Sequence, residues 1–375
     1  MNQGFYLSLR MGSMGADPVP QPVIDALTEA QVSTTVGSQS GFQLKFTLGK
    51  RSPIAQALLP TGYFDPRRRV IITAVVNGSS TVLMDGVITK QDVTPGNTPG
   101  QSTLTVTGLD ISALMDFIDL TGIPYPAMPL FAIIDLVLAK YLAFGVIPAV
   151  IPDVIGLIQN PLERFQKQQG TDYQYVTSLA RRCGHVFYID PGPQPGQSIA
   201  YWGPELGGFF PTQPAMSVDL DVSTNVESLN FSYDGTVAKQ YLATILEPNS
   251  KVPIPIPLPD IDFLKASLSK KSPTPLKSER LPDLANKSFP EAAMLVLGAL
   301  TKSADAVSAS GQLDVLRYGH VLKARQKVAV RGAGAYFDGL YSVKSVTHNI
   351  KRGEYTQSFT LKRGGLLSSV DTVTS

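Results

Sequence analysis

The chain is 375 residues long and 43% hydrophobic, enough for two or three domains with real cores. Lysine plus arginine number 32 against 30 aspartate plus glutamate, a balance that argues against general nucleic-acid binding through phosphate neutralisation, so no specific nucleic-acid partner is expected. The single cysteine excludes an internal disulfide and any multi-cysteine metal site, and suits folding in a reducing cytoplasm.

From 4 to 108 the pattern is alternation. Phe42, Leu44, Phe46 and Leu48 face one way while Gln43, Lys45 and Thr47 face the other, as in a half-buried antiparallel strand. Runs at 70–76, 81–84, 86–89 and 103–107 read the same way, and Asn77-Gly78 supplies a hairpin turn. Short strands at this density predict a barrel or sandwich. The run Arg67-Arg68-Arg69 follows Asp65-Pro66 and precedes a strand; it is either a solvated turn or a contact to an acidic rim on a neighbour.

The character changes at about 109, with helical spacing predicted at 111–118, 130–144 and 171–183. The most apolar stretch, 130–158, is broken by Asp135, Lys140, Pro148, Pro152 and Asp153, so no integral membrane segment is expected. It reads as a buried helix followed by a Pro-rich apolar loop. Val146, Ile147, Val150, Ile151 and Ile155 make that loop a candidate subunit contact, with packing inside its own domain as the equal alternative. The amino terminus has no basic segment leading into an apolar core, so no signal peptide is expected.

Residues 168–190 carry the clearest local signals. Thr171 and Gln174 fit a capping box, and Tyr173, Val176, Leu179, Ala180 and Cys183 mark one apolar face. Gly184 can end the helix, 186–189 is β-prone, Pro191-Gly192 stops it, and 199–202 reads as its hairpin partner.

Strand patterning resumes over 216–233, with Val218, Leu220 and Val222 alternating against Asp219 and Asp221. Prolines at 253, 255, 257, 259, 273, 275, 282 and 290 predict an extended insertion, and Pro290 opens a helix over 291–306. Strands are predicted at 321–322, 327–330, 341–349 and 355–361; in 341–349 neither face is wholly apolar, which suggests a lumen or partner on one side. Between 190 and 234 there are six acidic residues and no basic ones, whereas 311–375 holds ten basic and four acidic. The expectation is that these segments complete one barrel or meet across a subunit boundary.

The chemistry is thin. His185, His320 and His348 have no second ligand at metal spacing, no Gly-x-Ser-x-Gly elbow exists, and Gly332-Ala-Gly334 lacks the Lys-Ser/Thr of a phosphate loop and reads as a tight hairpin. No catalytic residue, metal or cofactor is expected.

Thr171-Asp172-x-x-Tyr175-Val176, Gly184 and the aromatic strand running to Pro191-Gly192 resemble the middle domain of contractile tail hubs, the late-control D proteins of phages and the amino-terminal half of VgrG-type spikes. The blocks 319–330, 339–348 and 355–363 resemble the family's closing barrel, and 41–48 its first. The resemblance implies an α+β, mainly β fold: a first antiparallel barrel over 1–108, a small αβ domain over 109–210, and a second barrel from 211–248 and 309–365. A Pro-rich insertion with a helix over 249–308 and a tail over 366–375 complete it. It implies a structural tail or baseplate hub: a homotrimer adapting a sixfold tail tube protein to a threefold spike, contacting baseplate proteins, with the spike a separate polypeptide because the chain stops soon after 363. Such a protein would be made in the cytoplasm and assembled into a phage tail or injection-system particle. The alternatives are a distal tail or glycan-binding receptor protein and, less favoured, a two-carboxylate cell-wall hydrolase.

Overall fold

The computed structural model describes residues 4–13, 15–97, 102–152, 166–205, 212–237, 239–246, 252–255, 268–271, 273–281, 284, 292, 295–296 and 305–368. Its frame is a 13-stranded sheet to which the first and last thirds of the chain both contribute. The alternation predicted over 41–48 is realised in the strand Gly41–Leu48, whose Phe42, Leu44, Phe46 and Leu48 are buried. Asn77 and Gly78 take positive φ, 49° and 83°, and turn Arg69–Val76 into the next strand. That next strand, Ser79–Thr94, is one bent element where the sequence suggested two. It pairs Arg69–Val76 with its first half and Ser102–Asp110 with its second. Gly86 lies where it changes partner, and a Cβ there would sit 2.2 Å from the carbonyl oxygen of Leu109, so only glycine lets the strands approach.

The two strand-rich regions, expected as two barrels, share one hydrogen-bonded sheet. The strand Leu27–Thr35 pairs with Gly41–Leu48 on one side and with Gly339–Lys351 on the other. One apolar core follows the sheet through both regions, containing Leu9, Phe46 and Ile72 together with Tyr341, Tyr355 and Phe359. Phe5 packs on Tyr355 with ring centroids 5.5 Å apart, bringing the first strand against one of the last.

The mixed character of 341–349 has a local cause. The pairing of Gly339–Lys351 shifts register between Val343 and Ser345, a bulge that leaves Lys344 as the extra residue. Tyr341 and Val343 are buried before it, Val346, His348 and Ile350 after it, so the buried set moves from odd to even positions. The expected lumen-facing side is therefore a change of phase.

Two further expectations are corrected. Residues 218–227 are a loop: Asp219 and Asp221 have φ of 49° and 47°, and Val222 is fully exposed. Asn225 enforces the turn, accepting from the Ser217 N–H at 2.8 Å and donating to the Ala215 carbonyl at 2.9 Å. The flanking strands, Thr212–Ser217 and Ser228–Tyr233, pair with Lys327–Arg331 and Val307–Asp314, so the acidic segment does complete the basic segment's sheet. Residues 321–322 form no strand, because Gln357 takes both backbone groups of Leu322, at 2.9 and 2.8 Å.

Residues 111–202 build a second core of their own. The helix Asp172–Arg182 packs with the helix Leu130–Ala139 over the sheet of His185–Pro191, Ser198–Pro204 and Val146–Val150, around a fully buried Trp202. The helix expected over 130–144 stops at Ala139 and ends in a 3-10 turn, Leu142–Phe144. The one expected over 111–118 is likewise a 3-10 turn, Ile111–Asp116. The helix foreseen over 291–306 lies almost wholly outside the described residues. At the start of the insertion Pro253–Pro255 pairs antiparallel with Thr244–Leu246, just before it.

Candidate functional site: a charged seam and two surfaces

The middle unit is organised around the N-terminus of its capped helix. Thr171 Oγ1 accepts from the Gln174 N–H at 3.3 Å, and Gln174 Oε1 accepts from the Thr171 N–H at 3.4 Å, closing the capping box. Asp172, in the first turn, accepts from Gln168 Nε2 at 2.8 Å and Tyr141 Oη at 2.7 Å and pairs with Lys140 at 2.5 Å. Burial, then the hydrogen bond to Asp172, pushes the Tyr141 hydroxyl far above its ordinary pKa. The Thr-Asp pair thus ties the helix to the segments that precede it. Gly184, at φ 68°, ends the helix as foreseen. The buried face is Tyr175, Val176, Leu179, Ala180 and Cys183, with Tyr173 only partly buried.

Between this unit and the large sheet runs a seam of charge, buried at Arg69 with Asp85 and partly exposed further along. Arg69 was expected in a solvated turn or on a neighbour's rim, and it is in neither place. Its Nε and Nη2 donate to the two oxygens of Asp85, each at 2.7 Å, and Nη2 also donates to the Gly196 carbonyl at 3.1 Å. Ser198 Oγ donates to the same carboxylate at 3.1 Å. The reason is geometric: Arg69 is the first residue of its strand, opposite Val87, and points across the adjacent strand into the middle unit. Arg68 bonds its own loop, at the Gly62 carbonyl, 3.1 Å away. Arg67 remains exposed, at φ 71°, with its guanidinium 5.2 Å over the exposed ring of Phe117.

Further along the seam, Asp110 accepts from the N–H groups of Ser40, at 2.5 Å, and Ser112, at 2.9 Å. Burial raises its pKa against the pull of these hydrogen bonds. Asp190 pairs with Arg325, whose guanidinium lies 4.1 Å over the Tyr188 ring; burial raises Asp190 as well, opposed by Arg325. Lys344 pairs with Glu205 and, at 3.1 Å, with Asp305. Burial works against its charge, but the two carboxylates more than reverse that and its pKa is raised. Sequence reasoning named none of these partners individually. The signal was there in aggregate, since Asp190 and Glu205 belong to the acidic segment and Arg325 and Lys344 to the basic one.

The apolar stretch after 145 is also placed differently from expectation. Val146–Val150 is an end strand of the three-stranded sheet, running parallel to Ser198–Pro204, and not a loop. Pro148 is tolerated because the strand lies at an edge. Val146 is buried in the second core, Val150 packs against it, and the Ile151 N–H continues the pairing to the Trp202 carbonyl at 2.8 Å. Only Ile147 is offered outward, 48% exposed and opposite the 39% exposed Ile199. Ile155 lies outside the described residues.

His185 and His348 are held by packing, and His320 is exposed. His185 meets Trp202 edge to face, with centroids 4.4 Å apart. His348 Nδ1 is 2.8 Å from Tyr355 Oη and 3.1 Å from Gln357 Nε2, and burial pushes its pKa down to about 3. Among the described residues no three His, Cys, Asp or Glu side chains gather as a metal site, and no helix is long and apolar enough to cross a membrane.

No family model and no curated protein sequence matches the chain. Solved structures do match, along the whole length. A tail protein from Neisseria meningitidis MC58 superposes with a TM-score of 0.64 at 12% identity, covering 97% of this chain and 98% of that one. The 43 kDa tail protein of prophage MuSo2 from Shewanella oneidensis gives 0.64 at 13% identity, covering 96% and 99%. An Escherichia coli component of the type VI secretion system, itself similar to bacteriophage T4 tail proteins, gives 0.53 at 11% identity, covering 90% of this chain and 73% of that one.

Proposed function

This chain has the tail-protein fold, and on that premise we propose that it is a structural hub of a contractile tail or phage-like injection system. In this reading it is a homotrimer that adapts a sixfold tail tube to a threefold spike and contacts baseplate proteins, with no chemical step. The observation that carries it is the end-to-end match to two tail proteins, with nearly the whole of both chains superposed. The fold suits the task. A continuous sheet is built from both ends of the chain, and on this reading its two strand-rich regions in three copies would supply six positions around an axis. The candidate contacts on this reading are Arg67 with Phe117, and the Ile147–Ile199 pair on the middle unit. Native mass spectrometry of the full chain, alone and with its spike protein, tests it: a three-chain species is expected, and a strict monomer at high concentration in both samples overturns the trimer.

A further inference from the structure

The two apolar cores are separate, and no buried apolar side chain belongs to both. Among the described residues, two ionic contacts and the ring of Tyr188 beneath Arg325 join the middle unit to the closing strands. Arg325 carries the first. Its φ of 66° lies in a turn whose Arg325 N–H donates to the Val343 carbonyl at 2.8 Å. Its guanidinium pairs with Asp190, lies over Tyr188 and donates to the Thr35 carbonyl at 3.1 Å. Lys344 carries the second, and it is the bulged residue of its strand, turned out of the alternation toward Glu205 and Asp305.

We propose that Arg325 and Lys344 form a releasable latch, so that the middle unit leaves the closing strands as a folded body while Arg69 keeps it tied to the first half of the sheet. Two features favour release of the whole unit over unfolding. Among the described residues the joint buries no shared apolar core, so parting it breaks neither. Lys344 answers two carboxylates, so Asp305 keeps it paired when Glu205 leaves. The latch is a property of one chain and holds whatever the chain assembles with.

Spin labels at Leu136→Cys, exposed on the middle unit, and Val93→Cys, exposed on the sheet, report the joint in the full chain; Cys183 is buried and stays unlabelled. The otherwise unaltered protein should give one narrow distance distribution. Arg325→Met with Lys344→Met should add a second, displaced population with native circular dichroism. Asp190→Asn, which changes charge with little change of volume, should add a smaller one. A single unchanged distribution in both variants overturns the latch. So does a displaced population that appears only together with loss of the native signal, because the two cores would then not be separable.

Discussion

The large sheet and the seam beside it are stabilised by opposite means. The sheet is held by a continuous apolar core that ignores the boundary between the first and last thirds of the chain. The seam is held by ion pairs: Arg69 with Asp85, which is buried, and Asp190 with Arg325 and Lys344 with Glu205 and Asp305, which are partly exposed. Apolar burial is non-directional and tolerates approximate placement, whereas paired charges demand one geometry. The contrast suggests that the sheet supplies stability and the seam fixes how the middle unit is aimed.

That contrast can be broken most forcefully in the cores. Phe46→Ala in the sheet and Trp202→Ala in the middle unit should each cost about 3–5 kcal/mol, by cavity formation. Hydrogen exchange should show Phe46→Ala loosening strands in both the first and last thirds, and Trp202→Ala loosening 111–202 first. Uniform loosening in both variants would show that the two cores act as one. At the seam, Arg69→Met alone leaves a buried carboxylate without its charge partner and should cost about 3–5 kcal/mol by denaturant titration. Combining it with Asp85→Leu should recover most of that loss, and an additive loss would show that the two side chains are not coupled.

His348 tests the sheet by pH. Its pKa falls from 6.5 to about 3 on folding, so the stability tied to the neutral ring is complete above the unfolded value and is lost as pH falls from 6.5 toward 3. The full loss is on the order of 5 kcal/mol. Asp110 and Asp190, with raised pKa values, have the opposite sign and gain relative stability as they protonate in the acid range. The comparison is therefore between the unaltered chain and His348→Gln, whose stability should decline less steeply over that interval. Smallest is Thr171→Ala, which removes a helix cap within the middle unit for about 1 kcal/mol and should leave the sheet's exchange untouched.

Local signals in the sequence were read well where one short-range rule decides the outcome. The capping box at Thr171 and Gln174, the Gly184 stop, the Asn77-Gly78 turn and the alternation in 41–48 all depend on residues within a few positions of each other. What escaped depends on distant partners. The bulge at Lys344 shifts the phase of its strand, so 341–349 looked two-faced. The alternation of 218–222 was overruled by one side chain, Asn225. The joining of the two strand regions rests on the pairing of Leu27–Thr35 with Gly339–Lys351, which no short-range pattern announces. For the candidate contacts, composition marked Val146 and Val150 as apolar without saying which side of an edge strand each would occupy, and Arg69 as charged without showing Asp85 beside it.

The central claim is that this chain sits where tube meets spike in a tail-like particle. Electron cryomicroscopy of that particle, reconstructed with threefold symmetry at the junction, tests it most directly. The account predicts density for three copies of this chain at that level, their strand-rich halves forming six positions under the tube. Density for the chain only at peripheral fibres, or in a copy number other than three, would contradict it.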